Sequence, residues 1–320
     1  LAGIGETYLN PEPVQSAVEQ VFAPQFLLGK DARQLEAHWR SMFARCSYAG
    51  WAGAEMRAIS AIDLALWDLM GKRTGEPLYR LLGGRCREQI PVYNTCGPYG
   101  ELDFNRNADE YARHLLDRGV RTMKIWPSDP FARAGGSHFI STSDLERGLD
   151  PVRKIRDAVG QEMDIAVEFH SHWSLDAAAR IAQALEPFHV RWLEDMLLPD
   201  NLDSYQHLSR ATRLPLLVSE RLLTRYQYLH LMQRQIARII CLDVEWCGGV
   251  SEARKIANLA EAYQLPVALH NYGGPVLNFA SAHIAASIPN LYLLETGRNL
   301  LKQWTPEIIS PAVPLNGGHI

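Results

Sequence analysis

Met163-Asp164-Ile165-Ala166-Val167-Glu168-Phe169 is a short β-rich run that carries a carboxylate near its end. After it, Leu175-Asp176-Ala177-Ala178-Ala179-Arg180-Ile181-Ala182-Gln183-Ala184-Leu185 places its apolar residues at helical spacing. A second β-rich run, Val190-Arg191-Trp192-Leu193, follows and leads directly into another carboxylate, Glu194. Strand, crossover helix and strand in that order predict a right-handed parallel unit. If the unit repeats, it sets the architecture of the chain.

It does repeat. Runs at 91–95, 121–126, 163–169, 190–193, 214–219, 239–243, 266–269 and 291–294 read as strands, which makes eight. Helical patterns at 144–159, 175–185, 200–208, 226–233, 250–263 and 275–286 lie between them. Eight strands with intervening helices match the size of a (β/α)8 barrel better than an open doubly wound sheet. The doubly wound sheet stays open as the alternative, although the turn after the first run, Asn94-Thr95-Cys96-Gly97-Pro98-Tyr99-Gly100, offers no G-x-G-x-x-G. Upstream the texture is helical over 12–82, with amphipathic stretches at 13–28, 33–46 and 55–70 and a short helix at 77–82. In the third stretch Ile59, Ile62, Leu66 and Leu69 form one apolar face. Residues 1–8 read as the last strand of a sheet, and the end at 317–320 shows no closing element, so part of the smaller domain is expected to be missing.

The whole chain is 320 residues, 47% hydrophobic and 21% charged, which rules out disorder and collagen-like repeats. Its 32 basic and 36 acidic residues give a net charge of −4, with no electrostatic footprint for nucleic acid or an anionic membrane. The expected partners are small molecules or other copies of the chain, as a homo-oligomer. No apolar run approaches the roughly 18 residues of a spanning helix and no signal-peptide pattern opens the sequence, so a cytoplasmic location is expected. Cys46, Cys86, Cys96, Cys241 and Cys247 include no C-x-x-C pair and are expected as buried thiols rather than disulfides or zinc ligands.

In a barrel the chemistry sits where strands end. Glu168, Glu194 and Glu220 fall at the ends of the third, fourth and fifth runs, separated equally by 26 residues (194 − 168 and 220 − 194). Three carboxylates converging on one point repel unless a cation neutralises them, and an all-oxygen ligand set selects a hard ion such as Mg²⁺. Any one of them alone could be a solvated charge at a loop start; three in equal spacing point to a metal. The next ends carry Asp243, His270 and Glu295. An aspartate beside a histidine fixes its tautomer, so Asp243 and His270 are expected as a dyad. Lys124, in Met123-Lys124-Ile125-Trp126, is expected to have a lowered proton affinity beside the cation and to act as a base. Taken singly, Lys124 could be a snorkelling lysine and His270 a core histidine.

The ordered set resembles the mandelate racemase / muconate lactonizing enzyme branch of the enolase superfamily. The residues that carry the resemblance are Ala58-Ile59-Ser60-Ala61-Ile62-Asp63-Leu64-Ala65-Leu66-Trp67-Asp68 with Gly71-Lys72 and Pro77-Leu78, then Leu193-Glu194-Asp195, Val218-Ser219-Glu220, and Asp243-Val244-Glu245-Trp246-Cys247-Gly248-Gly249-Val250. It implies a modified TIM (β/α) barrel with an α+β capping domain: a partial, mostly helical cap over 1–88, the catalytic barrel over 89–300, and a segment 301–320 returning to the cap. It also implies Mg²⁺ held by Glu168, Glu194 and Glu220, loss of the proton α to a substrate carboxylate, and Glu295 hydrogen-bonded to that carboxylate, either protonated or opposite a donor.

His170 bears on which reaction follows. Two residues beyond Glu168, it is expected on the same side of the strand, and Glu168-Phe169-His170 is similar to the Asp-x-His of acid-sugar dehydratases in the family, where the histidine protonates the departing hydroxyl. His172 shares that parity but lies past the strand. Many members carry Lys-x-Lys in the second strand; here Thr122 stands at the first position, which weakens simple racemisation. The implied reaction is dehydration of an acid sugar by β-elimination, with either Lys124 or His270 as the base. Val92-Tyr93-Asn94-Thr95-Cys96 with Lys124-Ile125-Trp126-Pro127 also resembles members that cycloisomerise anhydro or lactone sugar acids, and racemisation or epimerisation stays open as well. A metal-binding barrel without catalysis is the reading of another class. The run 127–142, with Gly135-Gly136, is expected as a long loop that adds to a lid.

Overall fold

Each of the eight short apolar runs is a strand, and they are buried on both faces as strands of an all-parallel barrel must be. In the computed structural model, which describes residues 1–297 and 305–320, they close in chain order. They are β1 (Val92–Thr95), β2 (Thr122–Ile125), β3 (Asp164–Glu168), β4 (Trp192–Glu194), β5 (Leu216–Val218), β6 (Ile239–Asp243), β7 (Val267–His270) and β8 (Leu291–Thr296). The doubly wound alternative is excluded. The helices are α1 (Pro11–Ser16), which runs on as a π-helix over Ala17–Leu27, then α2 (Leu35–Ala49), α3 (Ala54–Thr74) and α4 (Leu78–Leu81). After β1 they continue as α5 (Phe104–Leu116), α6 (Asp129–Gly135), α7 (Thr142–Val159), α8 (Leu175–Leu185), α9 (Leu202–Ala211), α10 (Thr224–Gln233), α11 (Gly249–Ala262), α12 (Pro275–Ser287) and α13 (Thr305–Ile308).

The chain forms two compact units. The first comprises Leu1–Ile90, Glu220–Leu229 and Leu242–Leu294. Its helical part is organised around Phe22, Trp39, Met42, Met56 and Ile59, all fully buried, each contributing about 1.5–3 kcal/mol by leaving water. Asp63 of α3, buried to 1% exposure, accepts the Ser251 backbone N–H at 2.9 Å and the Ser251 hydroxyl at 2.7 Å, which satisfies an amide in the first turn of α11. Burial pushes the Asp63 carboxyl up to about 7 against those hydrogen bonds. The close approach explains the second glycine of Gly248-Gly249: Gly249 has φ +84°, and a Cβ there would meet Asp63 Oδ2 at 2.5 Å.

Leu1–Tyr8 is not a strand. Its glycines press on α3 instead, with a Cβ on Gly3 falling 1.8 Å from the Ala65 carbonyl oxygen, and the Ile4 N–H donates to Asp68 at 2.8 Å. The segment that reads as the last strand of a sheet is here a bare-backbone contact with a helix.

The second unit comprises Pro91–Ser219, His230–Cys241 and Glu295–Ile320. It contains α5, absent from the expected helices, whose Phe104, Ala108, Tyr111, Ala112 and Leu115 are buried at helical spacing. Non-helical dihedrals at Asn107 interrupt the pattern near its start. The run 127–142 is not a structureless loop, since it contains α6. Near the C-terminus His319 bridges Pro91, and Val92 N–H donates to Gly318 O at 3.2 Å. The expected boundary between 300 and 301 lies outside the described residues. All five cysteines are free thiols, as expected, but Cys86 is exposed while the other four are buried.

Candidate active site

Parallel register sets the first cluster, in the second unit. Thr95 pairs with Lys124 between β1 and β2, and Glu168 pairs with Glu194 between β3 and β4. The Lys124 ammonium lies 2.7 Å from Glu194 Oε1, 3.3 Å from Glu168 Oε2 and 3.1 Å from Glu295 Oε1. Every one of these side chains is at most 4% exposed. Glu168 Oε1 accepts the backbone N–H groups of Phe169 and His170 at 3.1 and 2.8 Å. Glu194 Oε2 accepts the Trp192 indole N–H at 2.8 Å, and the Thr95 hydroxyl donates to Glu295 Oε1. Glu295 thus sits opposite two donors. Thr122, in the place of a first lysine, accepts from Arg191 at 2.8 Å.

One lysine among three buried carboxylates leaves a formal excess of two negative charges in a dry site, each costing several kcal/mol uncompensated. The expectation of a lowered Lys124 proton affinity concerned a lysine beside a cation; the protein groups alone act in the opposite direction. Burial pulls its pKa down, but Glu194, Glu295, Tyr93 and Glu168 outweigh burial and hold it well above the ordinary lysine value. For Glu168, burial is in turn outweighed by Lys124 and His170, and its carboxyl lies well below the usual range.

Glu220 belongs to the first unit and lies past the end of β5, not on it. Equal sequence spacing did not mean equal height: the residue paired with Glu194 is Leu217, three positions earlier. Glu220 is 5% exposed, and its Oε2 is buried with no hydrogen-bond partner among the described residues. An orphaned carboxylate oxygen is what a ligand for a hard cation looks like, so Glu220 and the negative excess around Glu168 and Glu194 both fit a divalent ion.

Asp243 and His270, both in the first unit, are brought into contact. His270 Nδ1 lies 2.6 Å from Asp243 Oδ2, and Asp243 Oδ1 accepts the Glu245 N–H at 2.7 Å. The indole of Trp246 lies against the imidazole at 5.0 Å between ring centroids. Glu245 is a residue the sequence reading quoted without a role. Burial, with Asp243 and Glu6 adding negative charge, pushes its carboxyl well above the ordinary range.

His170 does not follow strand alternation. β3 ends at Glu168, and His170 and Ser171 take left-handed backbone conformations at φ 47° and 59°. The turn brings His170 Nδ1 to 2.7 Å from Asp129 Oδ2, with His172 Nε2 3.9 Å from the same oxygen. Burial lowers the His170 pKa, but the hydrogen bond that its imidazole donates to Asp129 and the charge of Glu168 win and raise it. Asp129, 3% exposed at the start of α6, was missed because it lies 41 residues away in a run read as loop; Asp129-Pro130 opening a helix was the signal available.

Comparisons with known proteins point to one family. Residues 107–320 match the enolase C-terminal domain-like family, and residues 1–83 match the mandelate racemase / muconate lactonizing enzyme N-terminal domain. A D-gluconate dehydratase from Thermoproteus tenax is 32% identical over 308 residues, covering 96% of this chain and 60% of that protein. A D-xylonate dehydratase from Haloferax volcanii is 30% identical over 325 residues, covering 100% of this chain and 77% of that protein. The crystal structure of an enolase of the mandelate racemase subgroup from Agrobacterium tumefaciens, with sodium and phosphate, superposes with a TM-score of 0.92 at 40% identity, covering 99% of this chain and 83% of that one. The chain thus spans 60% of the length of the gluconate dehydratase it matches.

Proposed function

The chain belongs to the mandelate racemase / muconate lactonizing enzyme family of the enolase superfamily, and from that premise we propose that it dehydrates an acid sugar. The observation that carries this reading is the second histidine. A racemase needs two bases and no acid for a leaving group, whereas His170, hydrogen-bonded to the buried Asp129, has its pKa raised and is placed to give up a proton. The relatives named as gluconate and xylonate dehydratases support the substrate class.

In this reading Glu168, Glu194 and Glu220 hold a Mg²⁺ ion. When bound, the ion supplies Lewis-acid charge to the substrate carboxylate as the α-proton departs. His270 removes that proton through Nε2 while Asp243 holds Nδ1 and stabilises the imidazolium. Lys124, pinned by three carboxylates, acts as a fixed positive charge rather than as the base. Glu295, with the Thr95 hydroxyl, orients the substrate carboxylate. His170 then protonates the β-hydroxyl, which leaves as water, and the remaining enol gives a 2-keto-3-deoxy acid. The proposed division of labour is a capping segment over 1–88, the catalytic barrel over 89–300 and a C-terminal segment over 301–320.

The test is incubation of the protein with aldonates and aldarates in Mg²⁺, read by keto-acid formation. Conversion of at least one acid sugar, abolished in His270→Asn, is the expected result; isomerised or epimerised substrate without keto acid would overturn dehydration.

A further inference from the structure

We propose that Asp129, His170 and His172 form a second metal site, one that takes a late first-row divalent cation such as Zn²⁺ and is distinct from the Mg²⁺ site. Candidate ligand atoms of these three residues all lie within 4.8 Å of one another. Two imidazoles and one carboxylate are the set that nitrogen-preferring Zn²⁺, Ni²⁺ or Fe²⁺ selects over Mg²⁺. Bonds of about 2.0–2.1 Å to a tetrahedral ion put ligand atoms about 3.3 Å apart. To reach that separation the observed 3.9 Å between His172 Nε2 and Asp129 Oδ2 closes, and the 2.7 Å between His170 Nδ1 and the same oxygen opens, by about 0.6 Å each.

The independent observation is the carboxylate itself. Asp129 is 3% exposed, and its Oδ1 is buried without any hydrogen-bond partner among the described residues, while Oδ2 engages His170. A buried oxygen with nothing to bond is costly, and a cation beside the two imidazoles satisfies it. Among the described residues the other ion-pair partner of Asp129 is Arg133, at 4.0 Å and 72% exposed. The left-handed turn at His170 and Ser171 is held by Ser171 N–H to Asp195 O at 2.6 Å and His172 N–H to Phe169 O at 3.0 Å, so both imidazoles are preset on one carboxylate. His172 also borders an open cavity of about 430 Å³, shared with His138, Trp173 and Leu197, through which an ion can enter. An ion bound here would withdraw His170 from its proton-donating role. That consequence rests on the proposed function; the binding does not.

The experiment is calorimetric titration of the metal-stripped full chain with Zn²⁺ in excess Mg²⁺, with the Co²⁺ visible spectrum recorded in parallel. The parent is expected to take up one Zn²⁺ equivalent that Mg²⁺ does not displace. His172→Ala, checked for folding by circular dichroism, is expected to lose about a hundredfold or more in affinity for it, as losing a ligand should exceed the 10–100-fold of losing a ligand's support. As a measure that needs no variant, Zn²⁺ is expected to protect His170 and His172 of the parent from carbethoxylation, mapped by mass spectrometry. No Mg²⁺-resistant equivalent, equal affinity in a folded His172→Ala, or unprotected histidines would each overturn the site. A Zn²⁺ equivalent in a chain that converts no acid sugar would leave the site standing and remove only the proposed function.

Discussion

Glu168 and Glu194 are direct Cα partners on neighbouring parallel strands, and a single ammonium, that of Lys124, bonds to both. The pairing is imposed by the barrel register, so two like charges are held side by side whatever their solvation. Such an arrangement is tolerable only with positive charge nearby, and one lysine is too little for it and Glu295 together.

Glu194→Gln should therefore weaken divalent-ion affinity by tenfold or more and abolish turnover, while the fold persists because Trp192 can still donate to the amide oxygen. Mn²⁺ binding followed by electron paramagnetic resonance measures the affinity. Unchanged binding would remove Glu194 from the metal site.

Asp243→Asn should leave His270 in place but offer its Nδ1 an amide that does not enforce the productive tautomer, with a loss of about 10²–10⁴ in kcat. Steady-state rates across pH check this, and a variant at the parent rate would show that the dyad plays no part in the chemistry.

Asp129 sets a pH dependence. The raised His170 pKa keeps the imidazolium to higher pH than a free histidine, so the acid's limb of the rate profile falls as pH rises through that raised value. Asp129→Asn removes the raising partner and should move this limb to lower pH. The stability gained from the Asp129–His170 pair is likewise present below the ordinary histidine pKa and lost as pH rises through the raised one. Profiles of kcat for both proteins decide the point, and coincident limbs would contradict it.

A purely structural expectation concerns Asp63. Its folded pKa of about 7 stands above the unfolded value of 3.8, so the folded state retains a proton that the unfolded chain releases, and stability from this group is lost as pH rises from 3.8 through 7. Asp63→Asn should flatten the fall in Tm between pH 5 and pH 8. Gly249→Ala, which forces a Cβ onto Asp63 at φ +84°, should cost on the order of 1–3 kcal/mol or more by thermal denaturation.

The eight strands were legible because parallel barrel strands are short apolar runs between turn residues, and the carboxylates at their ends stand out against them. What sequence could not show was geometry fixed by other parts of the chain. Glu168, Glu194 and Glu220 are equally spaced, yet Glu220 lies beyond β5 because β4 and β5 pair with Leu217 opposite Glu194. Alternation placed His170 on the side of Glu168, but the strand had already ended, and two left-handed residues turned it towards Asp129. Asp129-Pro130 marked a helix start, but nothing local paired Asp129 with His170, 41 residues away. The proton affinity of Lys124 depended on how many carboxylates surround it, which spacing alone does not give. The helix α5 was legible in the helical spacing of Phe104, Ala108, Tyr111, Ala112 and Leu115 and was missed nonetheless, whereas Leu1–Tyr8 imitated a strand through glycines whose use is to approach α3.

The central claim, removal of the α-proton by one histidine and protonation of the leaving hydroxyl by another, is tested most directly by deuterium exchange in His170→Asn. In D₂O with Mg²⁺ and an acid sugar that the parent converts, recovered substrate should carry deuterium at the α-carbon while keto-acid formation falls by about 10²-fold or more, the usual contribution of a positioned acid. Keto acid formed at the parent rate, or substrate recovered without deuterium, would contradict the account.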